Sequence, residues 1–156
     1  MEDWPKNVGK QVIGLLQRVS EASVSVGGSV VGEIGPGLLV LVAVHRDDTA
    51  KDITRLAERI QGYRMFPDAE GRMNRSISDE NGALLLVPQF TLAADTKKGT
   101  RASFTRAAPP DMGREYFERL VDACRESLDC VETGKFGADM QVSLVNDGPV
   151  TFWLES

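Results

Sequence analysis

The chain reads as an α+β protein: a mostly antiparallel, barrel-like β-sheet core carrying two main helices. Three observations predict this. The N-terminal third alternates apolar and polar residues between glycine-rich turns. Two later segments, around 48–63 and 109–128, switch to helical spacing. The chain then returns to strand patterning and ends on it. Its 156 residues suit one domain with a real core.

From Val12, "VIGLLQRVSEASVSV" reads as a strand, a short turn, then a strand with Ala22, Val24 and Val26 alternating. Gly27-Gly28 is a two-residue hairpin signal, and Gly35-Pro36-Gly37 marks a second turn. "GLLVLVAV" (Gly37–Val44) is the longest apolar run and suits a buried strand. Ile53, Leu56, Ala57, Ile60 and Tyr63 then share one helical face, with Asp48 or Thr49 as N-cap. "PDAEGRMNRSISDENG" is polar and turn-rich, and Ala83–Ala94 is long, apolar and at least partly buried. Pro109-Pro110 opens a second helix that Asp111 can cap. Its stripe of Tyr116, Phe117, Leu120, Val121, Cys124 and Leu128 is core-packing. Met140–Val145 and Val150–Leu154 are strand-like on either side of Gly148-Pro149.

Composition is that of an ordinary globular protein, 42% hydrophobic and 26% charged. No apolar run approaches the ~20 residues a membrane helix needs, so no membrane partner and a cytoplasmic location are expected. Residues 1–11 carry acids and no apolar h-region, unlike a signal peptide. They are expected to be a loose extension or a misassigned start, with a single domain over 12–156. Two cysteines and one histidine cannot supply a four-ligand zinc site of Cys and His. No metal or cofactor is expected. His45 follows a buried strand close to a helix start, so a strand-end or capping role is preferred over catalysis.

The net charge of −5 argues against coating of nucleic acid by bulk charge, and no DNA partner is expected. One run departs from this. "TKKGTRASFTR" (Thr96–Arg106) holds Lys97, Lys98, Arg101 and Arg106 and no acid. It is either a solvated loop or a loop that meets phosphates, Phe104 and several hydroxyls lying among the cations.

The usual chemical signatures are missing: no P-loop, no GxGxxG after a strand, no GxSxG elbow, no carboxylate pair in an apolar segment. Two segments instead break local rules. In "VPQFTL", Pro88, Gln89 and Thr91 interrupt an apolar strand pattern. They are either an edge strand facing water or a functional site. In "NDGPVT", Gly148-Pro149 divides two strand segments, and proline lacks the ladder N–H.

These two segments, within "GRMNRSISDENGALLLVPQFTLAADTKKGTRASFTRAAPP" and "FGADMQVSLVNDGPVTFWL", closely resemble the D-aminoacyl-tRNA deacylases. The resemblance runs from Val12 to Ser156, "LLQRV" and "GLLVLVAV" included. It implies that family's fold and a homodimer with active sites at its interface. It further implies hydrolysis of the ester joining a D-amino acid to the terminal ribose of tRNA, and of glycine mischarged onto alanine tRNA. The Gly148-Pro149 bond would be cis, and the pair would reach toward Gln89, Phe90 and Thr91 of the partner. Backbone carbonyls there would accept from the substrate ammonium and leave no room for an L side chain. Selection by such a clash cannot reject glycine.

Within that frame the backbone N–H groups of Phe90 and Thr91 are candidates for an oxyanion site. The nucleophile is either Thr91 or a water positioned by the tRNA's terminal 2′-hydroxyl. The water is preferred, because no base near Thr91 is evident in the sequence. Arg18 either supports the Gly-Pro element or is a surface cation on a strand. Phe136 and Met140 line the pocket or belong to the core. Asn146 and Thr151 can hydrogen-bond the turn, and Lys97, Lys98 and Arg101 can position tRNA phosphates. Many relatives have Ser where this chain has Pro88. A related branch that removes L-alanine from threonine tRNA also carries Pro-Gln there, but follows it with Ala and has a trans Gly-Pro. Phe90 and "NDGPVT" point to the D-specific branch. L-alanyl editing, a non-catalytic RNA-binding dimer and a small-ester hydrolase using Thr91 are the alternatives.

Overall fold

Alternating apolar residues carry one strand across the whole molecule. In the computed structural model, which describes residues 11–156, β1 runs unbroken from Ile13 to Val26. The expected short turn within it is absent. Its C-terminal half pairs antiparallel with β2 (Ser29–Ile34), its N-terminal half with β3 (Gly37–Ala43). Gly27 and Gly28, both at positive φ, make the first hairpin turn.

Beyond β3 the chain forms α1 (Ala50–Gly62), with Thr49 as N-cap and its backbone N–H donated to Asp52 Oδ2 at 2.8 Å. Ile53, Leu56, Ala57 and Ile60 are the buried face of α1. Each fully buried Leu or Ile contributes about 1.5–3 kcal/mol of transfer free energy. The polar stretch that follows is more ordered than its composition suggests. It holds a small hairpin, β4 (Phe66–Pro67) with β5 (Met73–Arg75), and a one-turn helix α2 (Ile77–Glu80) capped by Ser76.

β6 (Ala83–Pro88) lies parallel to β3, and β7 (Val131–Thr133) parallel to β6. The sheet is therefore mixed, with its antiparallel pairs gathered around β1. A 3₁₀ turn, Phe90–Ala93, ends the β6 segment, so only its first half is strand. α3 (Pro110–Arg125) starts after Pro109, with Asp111 in the first turn rather than at the cap. β8 (Gln141–Glu155) then runs back along the second edge of β1.

The sheet curls toward a barrel because β2 closes on β7. A β-carbon at Gly32 would stand 2.6 Å from the Thr133 carbonyl oxygen, so only glycine permits this approach. The curl encloses Val19, Val24, Ile34, Leu39, Leu85 and Val87. The outer face of the sheet carries α1 and α3 over Leu16, Leu38, Leu84 and Leu86. The expectation for residues 1–11 concerns a segment that, Gln11 apart, lies outside the described residues.

Candidate functional site

The Gly-Pro interruption does not end β8; it is pushed out of the strand. β1 and β8 pair at Gln17↔Thr151 and again at Val19↔Asn146. Two steps on β1 are thus matched by five on β8, and Asp147–Val150 are extruded opposite Arg18. The neck of this loop is closed by one side chain. Asn146 Nδ2 donates to Thr151 Oγ1 at 2.9 Å, and Asn146 Oδ1 accepts from Val150 N at 2.7 Å. The second bond fixes which way the amide faces.

Arg18 holds the loop from below. Its Nε donates to the Asp147 carbonyl at 2.9 Å and its Nη1 to the Met65 carbonyl at 2.8 Å. The side chain is only 14% exposed, with the Asp147 carboxylate at 3.8 Å. Arg18 is thus bonded to the loop backbone and is not a free surface cation. The Gly148-Pro149 peptide bond is cis, and Gly148 has φ +141°. A β-carbon there would stand 2.6 Å from Val150 Cγ2 and 3.3 Å from Arg18 Nη2. Asp147, Gly148 and Pro149 are all exposed. The tip therefore presents backbone, with no side chain at position 148 to cover it.

The second motif lies at the end of β6. Pro88 pairs with Val42, and its missing N–H leaves no gap because Gln89 N donates to Val42 O at 2.7 Å. Proline costs little where the ladder is about to stop. Phe90 and Thr91 open the 3₁₀ turn, so their amides precede any acceptor inside it. Gln89 Nε2 donates to Thr91 Oγ1 at 3.0 Å. An amide nitrogen is a donor and takes no proton, so it is not a base for this hydroxyl.

Met140 joins this second site. A β-carbon at Gly134 would lie 2.8 Å from Met140 Sδ and 3.5 Å from Pro88 Cδ, so both side chains pack over that glycine. Lys135 N meets Met140 Sδ at 3.4 Å. Nothing in the sequence singles out Gly134; a lone glycine ahead of "KFGADM" is the only trace. Phe136 turns the other way, onto α3, with the Arg114 guanidinium 5.0 Å from its ring centroid.

The two motifs do not meet within one chain. Through the sheet Arg18, level with the Gly148 loop, pairs with Leu38 and Leu38 with Leu84, so the loop lies three strands across and four residues along from Pro88. At about 4.8 Å between strands and about 3.3 Å per residue that is roughly 15–20 Å along the sheet.

Lys97, Lys98 and Arg101 are exposed on a loop closed by Asp95 and Ser103, whose backbones exchange bonds of 2.7 and 2.9 Å. His45 sits at the root of this loop. It is 2% exposed, bridges to Ala107, and burial pushes its imidazole below the usual histidine range. It is a strand-end residue. Asp48 caps the turn beneath it, accepting from Val12 N at 2.8 Å and His45 N at 2.7 Å. Burial raises the Asp48 carboxyl to about 7, and these two donors pull against the rise.

The family model for D-Tyr-tRNA(Tyr) deacylase matches residues 15–155. A D-aminoacyl-tRNA deacylase of Alkalilimnicola ehrlichii is 63% identical over 145 residues, 93% of this chain and 97% of that protein. One from Klebsiella pneumoniae is 56% identical over 144 residues, 92% of this chain and 99% of that protein. A solved structure named c-Myc DNA Unwinding Element Binding Protein superposes with TM-score 0.88 at 36% identity, over 92% of this chain and 98% of its own. A probable eukaryotic D-amino acid tRNA deacylase superposes with TM-score 0.82 at 18% identity, over 94% and 100%, a likeness of fold.

Proposed function

The chain belongs to the D-aminoacyl-tRNA deacylase family and is a deacylase of that kind; from this premise we propose that it discriminates chirality with the Asp147–Pro149 loop of a partner subunit. The observation that carries this reading is the separation of the two motifs. The loop that excludes and the motif that hydrolyses are each well formed, yet they stand far apart on one chain. A homodimer in which each loop enters the other subunit's Gln89–Thr91 site joins them. Among the described residues no helix is long and apolar enough to cross a membrane.

At that composite site the exposed Asp147 and Gly148 backbone meets the amino acid's α-carbon. Its carbonyls accept from the substrate ammonium. An L side chain would collide with the loop, a D side chain points elsewhere, and glycine has none to collide. The activity therefore extends to glycine mischarged onto alanine tRNA. The amides of Phe90 and Thr91 stabilise the tetrahedral oxyanion, and such donors contribute about 3–4 kcal/mol each. Thr91 Oγ1, held by the Gln89 amide, has no base to activate it. The attacking group is a water positioned by the terminal 2′-hydroxyl of the tRNA. The proton leaves through that hydroxyl to the 3′-oxygen, which departs as the ester bond breaks.

The test uses wild type and Thr91→Ala on D-Tyr-, L-Tyr-, Gly- and L-Ala-charged tRNAs, with a terminal 2′-deoxy D-Tyr substrate alongside. Loss of only the D and glycyl esters, near-normal turnover by Thr91→Ala, and failure of the 2′-deoxy ester are expected. Attack on L-alanyl-tRNA would assign the chain to L-alanyl editing, and binding without turnover to an RNA-binding dimer. Normal hydrolysis of the 2′-deoxy ester would exclude the assisted water.

A further inference from the structure

Among the large apolar side chains left exposed, two aromatic rings lie side by side. Phe90 and Phe104 lie with ring centroids 5.2 Å apart at 54°, and are 60% and 45% exposed. Two phenyl rings left largely in water forgo the transfer free energy that burial would return. They form a ready-made face for a flat ring.

The loop that carries Phe104 is not a loose tether. Asp95 ties its two ends, through the backbone bonds to Ser103, through Lys97 N to Oδ1 at 3.0 Å, and through Arg106 Nη2 at 3.6 Å. Arg46 reaches across from the end of β3, its Nη1 donating to Thr105 O and its N to Arg106 O, each at 2.9 Å. Phe104 is thereby held against Phe90 before any ligand arrives, which lowers the ordering entropy of binding. Arg106 is occupied by Asp95, whereas Lys97, Lys98 and Arg101 are exposed and form no ion pair with another described residue. In a chain of net charge −5, three exposed cations beside two exposed aromatic rings, with Asp95 already bonded to Arg106, are a local inversion of sign. A stacking face flanked by cations is how single-stranded nucleic acid is gripped: bases stack and phosphates follow the positive groove.

Phe90 also belongs to the ester site, which gives the surface a direction. We propose that the Phe90–Phe104 pair stacks an unpaired nucleobase of the tRNA 3′ tail, upstream of the aminoacylated terminal nucleoside, and that Lys97, Lys98 and Arg101 take the phosphates leading away from it. This rests on the deacylase reading of the same site and adds the path by which the tail leaves. The occupant of the Phe104 side of this face is RNA rather than the partner subunit, whose loop enters at Gln89–Thr91, because a self-association face gains nothing from three like charges.

The experiment compares wild type, Phe104→Ala and Phe104→Trp on D-tyrosyl-tRNA and on D-tyrosyl-adenosine, which has no upstream nucleotide. Loss of one stacked base costs about 1–3 kcal/mol, and 1.4 kcal/mol is tenfold. Phe104→Ala should raise KM for the charged tRNA about tenfold, leave kcat within about twofold, and leave the adenosine ester unaffected. Phe104→Trp should restore KM. Relative to wild type, whose Trp4 and Trp153 set the baseline, its fluorescence should be quenched by uncharged tRNA ending in CCA and not by tRNA trimmed of CCA. Equal losses on both substrates would make Phe104 merely structural and overturn the proposal. So would an unchanged KM, equal quenching by trimmed tRNA, or a shifted oligomeric state at unaltered KM, which would place a second copy on the pair. Failure of the deacylase reading itself would look different: wild type inactive on both esters.

Discussion

Arg18 donates through Nε to the carbonyl oxygen of Asp147, 2.9 Å away, on the peptide immediately before Gly148. The same guanidinium donates to Met65 O at 2.8 Å, so one planar fork ties the extruded loop to the segment after α1. This is geometry a lysine cannot copy, since an ammonium is a point charge on a flexible stem. Arg18→Lys should keep the fold and loosen the loop. A charged hydrogen bond contributes about 1.5–3 kcal/mol. We expect kcat/KM for D-Tyr-tRNA to fall about 10- to 100-fold, with measurable hydrolysis of L-Tyr-tRNA appearing. A variant that keeps full discrimination would show that the loop is self-supporting.

The neck of that loop gives a separate prediction about stability. Asn146 both donates to Thr151 Oγ1 and accepts from Val150 N. Asn146→Ala removes both bonds and should lower unfolding free energy by about 1–3 kcal/mol, measured by urea titration. Thr151→Val removes one and should cost less. The double variant should be less destabilised than the sum of the singles, because the two side chains share a bond. Additive losses would mean that the bond does not form in solution.

Asp48 sets a pH dependence with a definite sign. Burial raises its carboxyl from 3.8 to about 7 in the folded chain. A raised folded pKa means the folded state binds the proton more tightly. The contribution is therefore complete below about 4 and is lost as pH rises through about 7. His45, lowered by burial, acts oppositely: its contribution is present above 6.5 and lost as pH falls through its lowered value. The two oppose each other, so the observable is a difference. The denaturation midpoint of wild type should fall relative to that of Asp48→Asn as pH is raised from 4 to 7. Parallel profiles would show that the Val12 and His45 amides hold the carboxylate near its ordinary value.

The two thiols should separate cleanly. Cys124 is buried against α1, and burial pushes its thiol up to about 12, while Cys130 is exposed. The thiolate is the reactive form. A thiol reagent at neutral pH should modify one cysteine per native chain quickly and the second only in denaturant. Fast modification of both would place a large opening motion between α1 and α3.

The helices and the buried strands were legible because their patterning is local. The stripe through Ile53, Leu56 and Ile60 and the run Gly37–Val44 announce their own burial. The polar stretch 67–82 was not legible as structure. Its hairpin and the Ser76-capped turn are held by side chain–backbone bonds, such as those Asp68 Oδ1 accepts from Glu70 N and Arg72 N, rather than by an apolar period. The strand–turn–strand expected at the N-terminus merged into one strand for a related reason. β8 and β3, distant in sequence, pair along β1 and override its polar middle.

By itself the sequence determined the family, the two rule-breaking motifs and the cationic run, since each is a fixed order of residue types. Only the tertiary structure decided what those motifs face. Arg18 bonded to the loop backbone because β1–β8 register places it opposite four extruded residues. Met140 joined Pro88 over Gly134, and Phe136 turned to α3, because the turn between β7 and β8 sends the two side chains to different neighbours. Pairing register, close approach and the separation of the two motifs are relations between distant segments, and no local pattern encodes them.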